Sequence, residues 1–232
     1  MVHSMRPPAP DSHGVAGSWL LPVAVAVSAG VLLLGMLAPL MPVTVDEHAP
    51  WNLMQRALGF DATRSLPGWW STVLPVLTAV TAMDAAGRRP RRAARNGWVL
   101  MALLLAWLSL DHLVTIHEAM SRLTVAPLGP LAQHPVETIL LVVGVVTGLL
   151  LVATERLVIT AALASAAGAY AVSAAVDAFG IPGSLSPHHT VMVEAGTSWA
   201  ALLIVLWAAR ADLAMMPQAR SSFDASVALE SH

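Results

Sequence analysis

Six stretches of this chain are apolar for close to the roughly 20 residues a helix needs to cross the hydrocarbon core of a bilayer, and no other feature narrows its fold so far. They fall at about residues 19–40, 69–86, 98–116, 136–153, 157–179 and 191–209. Composition agrees, since 56% of the 232 residues are hydrophobic and 11% charged, against roughly 25% charged in ordinary soluble domains. The expectation is an all-α polytopic membrane helical bundle of about six spans. The first run is too long for a signal-peptide core and lacks a convincing cleavage site, so it reads as a retained helix. Residues 1–17 and 213–232 read as disordered cytoplasmic tails around a bundle over 18–212.

Arginine placement predicts the orientation. Cytoplasmic loops of membrane proteins retain basic residues, and the loop between the second and third spans carries Arg88, Arg89, Arg91, Arg92 and Arg95, whereas the loop between the fifth and sixth carries none. Alternation then puts Arg156, Arg210 and Arg220 on the same side and both termini in the cytoplasm. The location this implies is a bacterial inner (plasma) membrane. Trp19, Trp69, Trp70 and Trp98 stand at span ends, where interfacial aromatic anchors are expected. Near-neutral charge, −2 at pH 7, gives nucleic-acid binding no support.

Small residues point to close helix contacts. Gly144 and Gly148 have small-xxx-small spacing, and the fifth span is crowded with Ala164, Ser165, Ala166, Ala167, Gly168 and Ala169, which predicts that it lies inside the bundle. The segment 51–67 mixes apolar residues with Arg56, Asp61 and Arg64 and reads as an interfacial helix.

The acids and histidines are lopsided. Asp111, His112, His117 and Glu118 close the third span; His134 and Glu137 open the fourth; Asp177 closes the fifth; His188, His189 and Glu194 open the sixth. All map to the outer half. An ionisable group inside a span costs about 2.5–3.5 kcal/mol at mid-bilayer on insertion scales, so those present usually face a cavity and have a task. Asp111 and Glu118 share a helix face about 10 Å apart along the axis. Tyr170, Ser173 and Asp177 form a polar stripe, and Glu194, Thr197 and Ser198 share a side of the sixth span.

Carboxylates from four helices plus histidine make the donor set of helical-bundle di-iron and di-manganese sites. With no cysteine in the chain, thiolate ligands are excluded and a metal has His, Asp and Glu alone. The expected ligands are Asp111, His117, Glu118, Glu137, Asp177, His189 and Glu194, for a divalent or trivalent metal: iron, manganese or zinc. The Glu-x-x-His motif of di-iron bundles is absent. Bland readings compete: hydrogen bonding within the bundle for Asp111 and Glu118, and helix-start carboxylates favoured by the macrodipole for Glu137 and Glu194. Solvent exposure competes for His188, His189 and the run Asp46, Glu47, His48. Asp84 beside Arg88 reads as a local ion pair.

Residues 108–118, Leu-Ser-Leu-Asp-His-Leu-Val-Thr-Ile-His-Glu, resemble a Ser-Leu-Asp-Glu…His-Glu segment that recurs in poorly characterised bacterial multi-pass membrane proteins, with His112 in place of an acid. Residues 65–71, Ser-Leu-Pro-Gly-Trp-Trp-Ser, are similar to the start of their second helix. The resemblance implies a multi-pass architecture, with Asp111, His117 and Glu118 acting as a unit.

Three function classes follow. The first is a membrane-bound metal-dependent enzyme, an oxidoreductase or hydrolase, acting on a lipid or other hydrophobic molecule. The second is a proton or cation transporter, which the scarcity of titratable groups in the inner halves of the third to sixth spans disfavours. The third is an accessory or assembly subunit that oligomerises or binds a partner, which small size and small-residue faces favour.

Overall fold

The computed structural model describes residues 19–42, 48–60, 65–114, 143–144, 146–148, 150–151, 156–179 and 187–215, and their side chains except at 111, 112, 174, 177–179 and 187–189. All regular structure among the described residues is helical. The elements are α1 (Leu20–Leu37), a 3-10 turn (Ala38–Leu40), α2 (Pro50–Leu58), α3 (Leu66–Arg88), α4 (Arg92–Val114), α5 (Leu157–Phe179) and α6 (Pro187–Ala214). Residues 143–144, 146–148 and 150–151 are also helical, within the expected fourth span.

Three helices are long and apolar enough to cross a membrane, over Leu20–Leu40, Arg92–Leu110 and Thr190–Ala214. The chain is thus a membrane protein by the length and composition of its helices. α3 is as long but less apolar, because it carries Ser71, Thr72, Pro75, Thr78, Thr81 and Asp84. It hides part of that polarity internally: Thr72, Thr78 and Thr81 return their hydroxyls to carbonyls one turn back at 3.3, 2.8 and 2.9 Å. Pro75 cannot donate to the Ser71 carbonyl, which opens that turn. Ser65 starts the helix by accepting the Gly68 N–H at 3.2 Å.

The helices pack in the order α4, α3, α6, α5, with α1 laid against both α3 and α6. Alanines make the central contact thin. Ala79, Ala82, Ala85 and Ala86 of α3 and Ala201, Ala208 and Ala209 of α6 are buried, and small side chains let helix backbones approach closely. Trp98, Trp199, Leu74 and Leu206 fill the remaining volume and are fully buried. Glycines also stand where other segments approach a helix closely. A Cβ on Gly35 would collide with the Phe60 ring, which itself lies 6.2 Å from Trp199, and one on Gly97 would stand 2.8 Å from Leu151 Cδ2.

Several expectations change here. Trp19 and Trp69 are exposed, as anchors should be, but Trp70 and Trp98 are buried hydrogen-bond donors, because helix rotation turns them onto neighbours. On α5, Ala164, Ser165, Ala167 and Gly168 are exposed, and its main partner among the described elements is α6. Among the described residues a Cβ on Gly148 would meet nothing within 4 Å, and one on Gly144 would only touch Leu104 at 4.0 Å. A short helix, α2, covers the first part of the segment 51–67, and α6 runs past residue 212. The tails 1–17 and 216–232 lie outside the described residues.

Candidate functional site

The antiparallel bundle has two unlike ends. At one end lie Arg88, Arg89, Arg91, Arg92, Arg95, Arg156 and Arg210; at the other lie the last turns of α4 and α5 and the first turn of α6, which carry Asp111, Asp177 and His189. We name these the arginine end and the acid end.

Near the acid end, hydroxyls tie the helices together. Trp70 of α3 donates to Ser28 of α1 at 2.9 Å, and Trp199 of α6 donates to Ser71 of α3 at 3.0 Å. Ser109 of α4 donates to the Thr72 carbonyl at 2.9 Å, in the turn that Pro75 opens. Ser173 of α5 donates to the Glu194 carbonyl at 3.0 Å and lies 2.7 Å from the Ser198 hydroxyl of α6. The belt therefore spans α1, α3, α4, α5 and α6.

Of the expected ligands, Asp111, Asp177 and Glu194 lie on helices just beyond this belt. Asp111 follows Ser109 by two residues, Asp177 follows Ser173 by one turn, and Glu194 precedes Ser198 by one turn. Asp111, His112, Asp177, His188 and His189 lie on helices, but their side chains fall outside the described ones. His117, Glu118, His134, Glu137, Asp46 and Glu47 lie outside the described residues altogether. Glu194 is half-buried, and His48 is exposed. Among the described residues no group of three or more His, Asp or Glu could hold a metal ion.

Register gives the acid end its order. Along α4, Gly97 faces Leu151 and Leu104 faces Gly144, so each step of seven residues up α4 matches seven residues back along the 143–151 segment. Residues seven apart return to nearly one face of a helix. Between α5 and α6 the contact of Ser173 with Ser198 sets the same kind of antiparallel ladder, and one turn outward from it come Asp177 and Glu194. Buried or half-buried Ile159, Leu163, Ala166, Tyr170 and Ser173 mark the face of α5 that leads to Asp177.

The arginine end contains a cluster that the sequence reading missed. Asp212 of α6 is fully buried. Arg89 Nε donates to Oδ2 at 2.7 Å while Arg89 Nη2 faces Oδ1; Trp98 Nε1 donates to Oδ2 at 3.0 Å; Arg156 Nη1 reaches Oδ1 at 3.3 Å. Arg156 also donates to the Met215 carbonyl at 3.3 Å. A carboxylate removed from water is tolerable only when its lone pairs are filled by charged or strong donors, and here two guanidiniums and an indole fill them. Burial, then the Arg156 charge, then Arg91 hold the Arg89 guanidinium below its ordinary pKa. With its oxygens so engaged Asp212 joins three segments of the chain at this end. Its sequence signal was an acid ending an apolar run at the end where arginines collect. By contrast, the expected pair of Asp84 and Arg88 is present at 3.0 Å on the surface.

Comparison with known families shows that the model of a domain of unknown function, DUF8692, fits residues 19–214. No curated protein and no solved structure matches the chain. The chain belongs to the DUF8692 family.

Proposed function

We propose that this DUF8692 chain is a six-span protein of a bacterial inner (plasma) membrane, with both termini in the cytoplasm, that holds a metal in the outer half of its bundle and uses it as an enzyme on a lipid or other hydrophobic substrate. The orientation is supported by the gathering of seven described arginines at one end of an antiparallel bundle. The second and fifth expected spans correspond to α3 and α5.

The observation that carries the metal reading is register. Gly97 opposite Leu151 and Leu104 opposite Gly144 continue, one heptad outward, to Asp111 and Glu137. The contact of Ser173 with Ser198 continues, one turn outward, to Asp177 and Glu194. Such a register would set carboxylates from four helices in two opposed pairs, the arrangement that bundle metal sites use. Without a cation such anions repel and take up protons; a divalent or trivalent ion lets them stay charged. His117, Glu118 and His189 complete the donor set. Iron would supply oxidative chemistry, and zinc a water of lowered pKa for hydrolysis.

Elemental analysis of the detergent-purified full chain, beside an Asp111→Ala, Glu118→Ala variant with matched helicity, tests this. Near-stoichiometric iron, manganese or zinc in the parent and its loss in the variant is the expected result; absence of metal from both overturns it. One observation favours a second reading, an accessory subunit: the small residues Ala164, Ala167 and Gly168 are exposed on α5, where a partner helix fits. Stable co-purification of a second protein without metal would select that reading.

A further inference from the structure

The arginine end carries more positive charge than its node consumes. Seven described arginines, Arg88, Arg89, Arg91, Arg92, Arg95, Arg156 and Arg210, meet two described carboxylates, Asp84 and Asp212. Both carboxylates are committed: Asp84 holds Arg88 through two bonds of 3.0 and 3.1 Å, and Asp212 holds Arg89 and Arg156. Glu155, a further acid here by sequence, lies outside the described residues, and its charge leaves the balance positive. Arg92 and Arg95, one turn apart at the start of α4, are both exposed, and no acidic residue stands in that first turn.

Position selects the counter-charge. The apolar span of α4 begins at Arg92 itself, so this cluster sits where hydrocarbon gives way to headgroups. Arg92 and Arg95 project from the helix at that level, and a guanidinium matches a phosphate through paired N–H donors. We infer that the arginine end, through Arg92 and Arg95, is a docking surface for the phosphate groups of anionic phospholipids in the adjacent leaflet. This surface is independent of the metal reading and requires only that the helices lie in a membrane. The exposed pair recruits the lipid, while Arg89 and Arg156 remain bound to Asp212.

Native mass spectrometry of the full chain in detergent, with equal amounts of phosphatidylglycerol and phosphatidylcholine of matched acyl chains, tests the inference. Phosphatidylglycerol adducts should dominate, and R92Q/R95Q should reduce that preference by at least about fivefold, the factor expected for one arginine near an anionic surface. The charge-matched R6Q/R220Q variant should leave it intact. Equal retention of both lipids, an undiminished preference in R92Q/R95Q, or an equal reduction in R6Q/R220Q overturns the inference. So does arginine-dependent binding of inorganic phosphate alone with no lipid retained. Arg92 and Arg95 are exposed, so circular dichroism of R92Q/R95Q should match the parent.

Discussion

At the arginine end one carboxylate receives donors from three other segments; at the acid end each hydroxyl touches a single neighbour and several such contacts share the task. Asp212 alone joins α6 to the α3–α4 loop, to Trp98 of α4 and to the residue that precedes α5. Ser28, Ser71, Ser109 and Ser173 each join one pair of helices. The first arrangement concentrates stability in one ionised group, where breaking a buried charge pair is costly. The second spreads it over neutral contacts averaging about 0.6 kcal/mol each in membrane helices. The arginine end therefore depends on one ionised group, whereas the acid end divides its hold among several neutral ones.

The largest test of this contrast is Asp212→Ala. It leaves the buried Arg89 guanidinium and the partly exposed Arg156 without their anion, and a loss of about 3 kcal/mol is expected. Thermal unfolding in detergent, followed by circular dichroism, measures it. A loss below 1 kcal/mol, on the order of one neutral hydrogen bond, would dissolve the distinction between the ends. Trp98→Phe keeps most of the ring and removes one donor to the carboxylate, so about 1.5 kcal/mol should go, the low end for a bond to a charged group. Its unfolding should be compared with that of Asp212→Ala in the same detergent. The smallest effect belongs to the other end: Ser198→Ala should cost about 0.6 kcal/mol. A Ser198→Ala effect as large as that of Asp212→Ala would show that Ser173 and Ser198 are themselves a node.

Features governed by local sequence were legible, and features governed by helix rotation were not. Charge placement along the chain predicted the gathering of arginines, because antiparallel helices return alternate loops to one end. The pair of Asp84 with Arg88 was readable because i, i+4 residues meet on any helix. Asp212 was not, since its partners Arg89, Trp98 and Arg156 lie 123, 114 and 56 residues away. Trp98 shows the same limit from the other side: its depth in the span was readable, but only packing decides whether a tryptophan at that depth faces lipid or an aspartate. The small residues of α5 permit close contact without compelling it. α6 takes the face of Ile159, Leu163 and Ala166 and leaves Ala164 and Ala167 exposed. At the acid end the place of Asp111, Asp177 and Glu194 near helix ends was legible, whereas the register of the helices that carry them emerges only from glycine and serine contacts elsewhere on those helices.

The Asp212 node also bears on the order of synthesis. Its members leave the ribosome as Arg89, Trp98, Arg156 and finally Asp212, so both guanidiniums are in place before their counter-ion exists. Until the last helix is inserted they remain with water and headgroups, and the loop after α3 cannot be drawn into the bundle. A nascent chain halted before α6 would thus keep its arginine end hydrated and its helices unlocked, which makes arrival of the final span the step that commits the preceding ones.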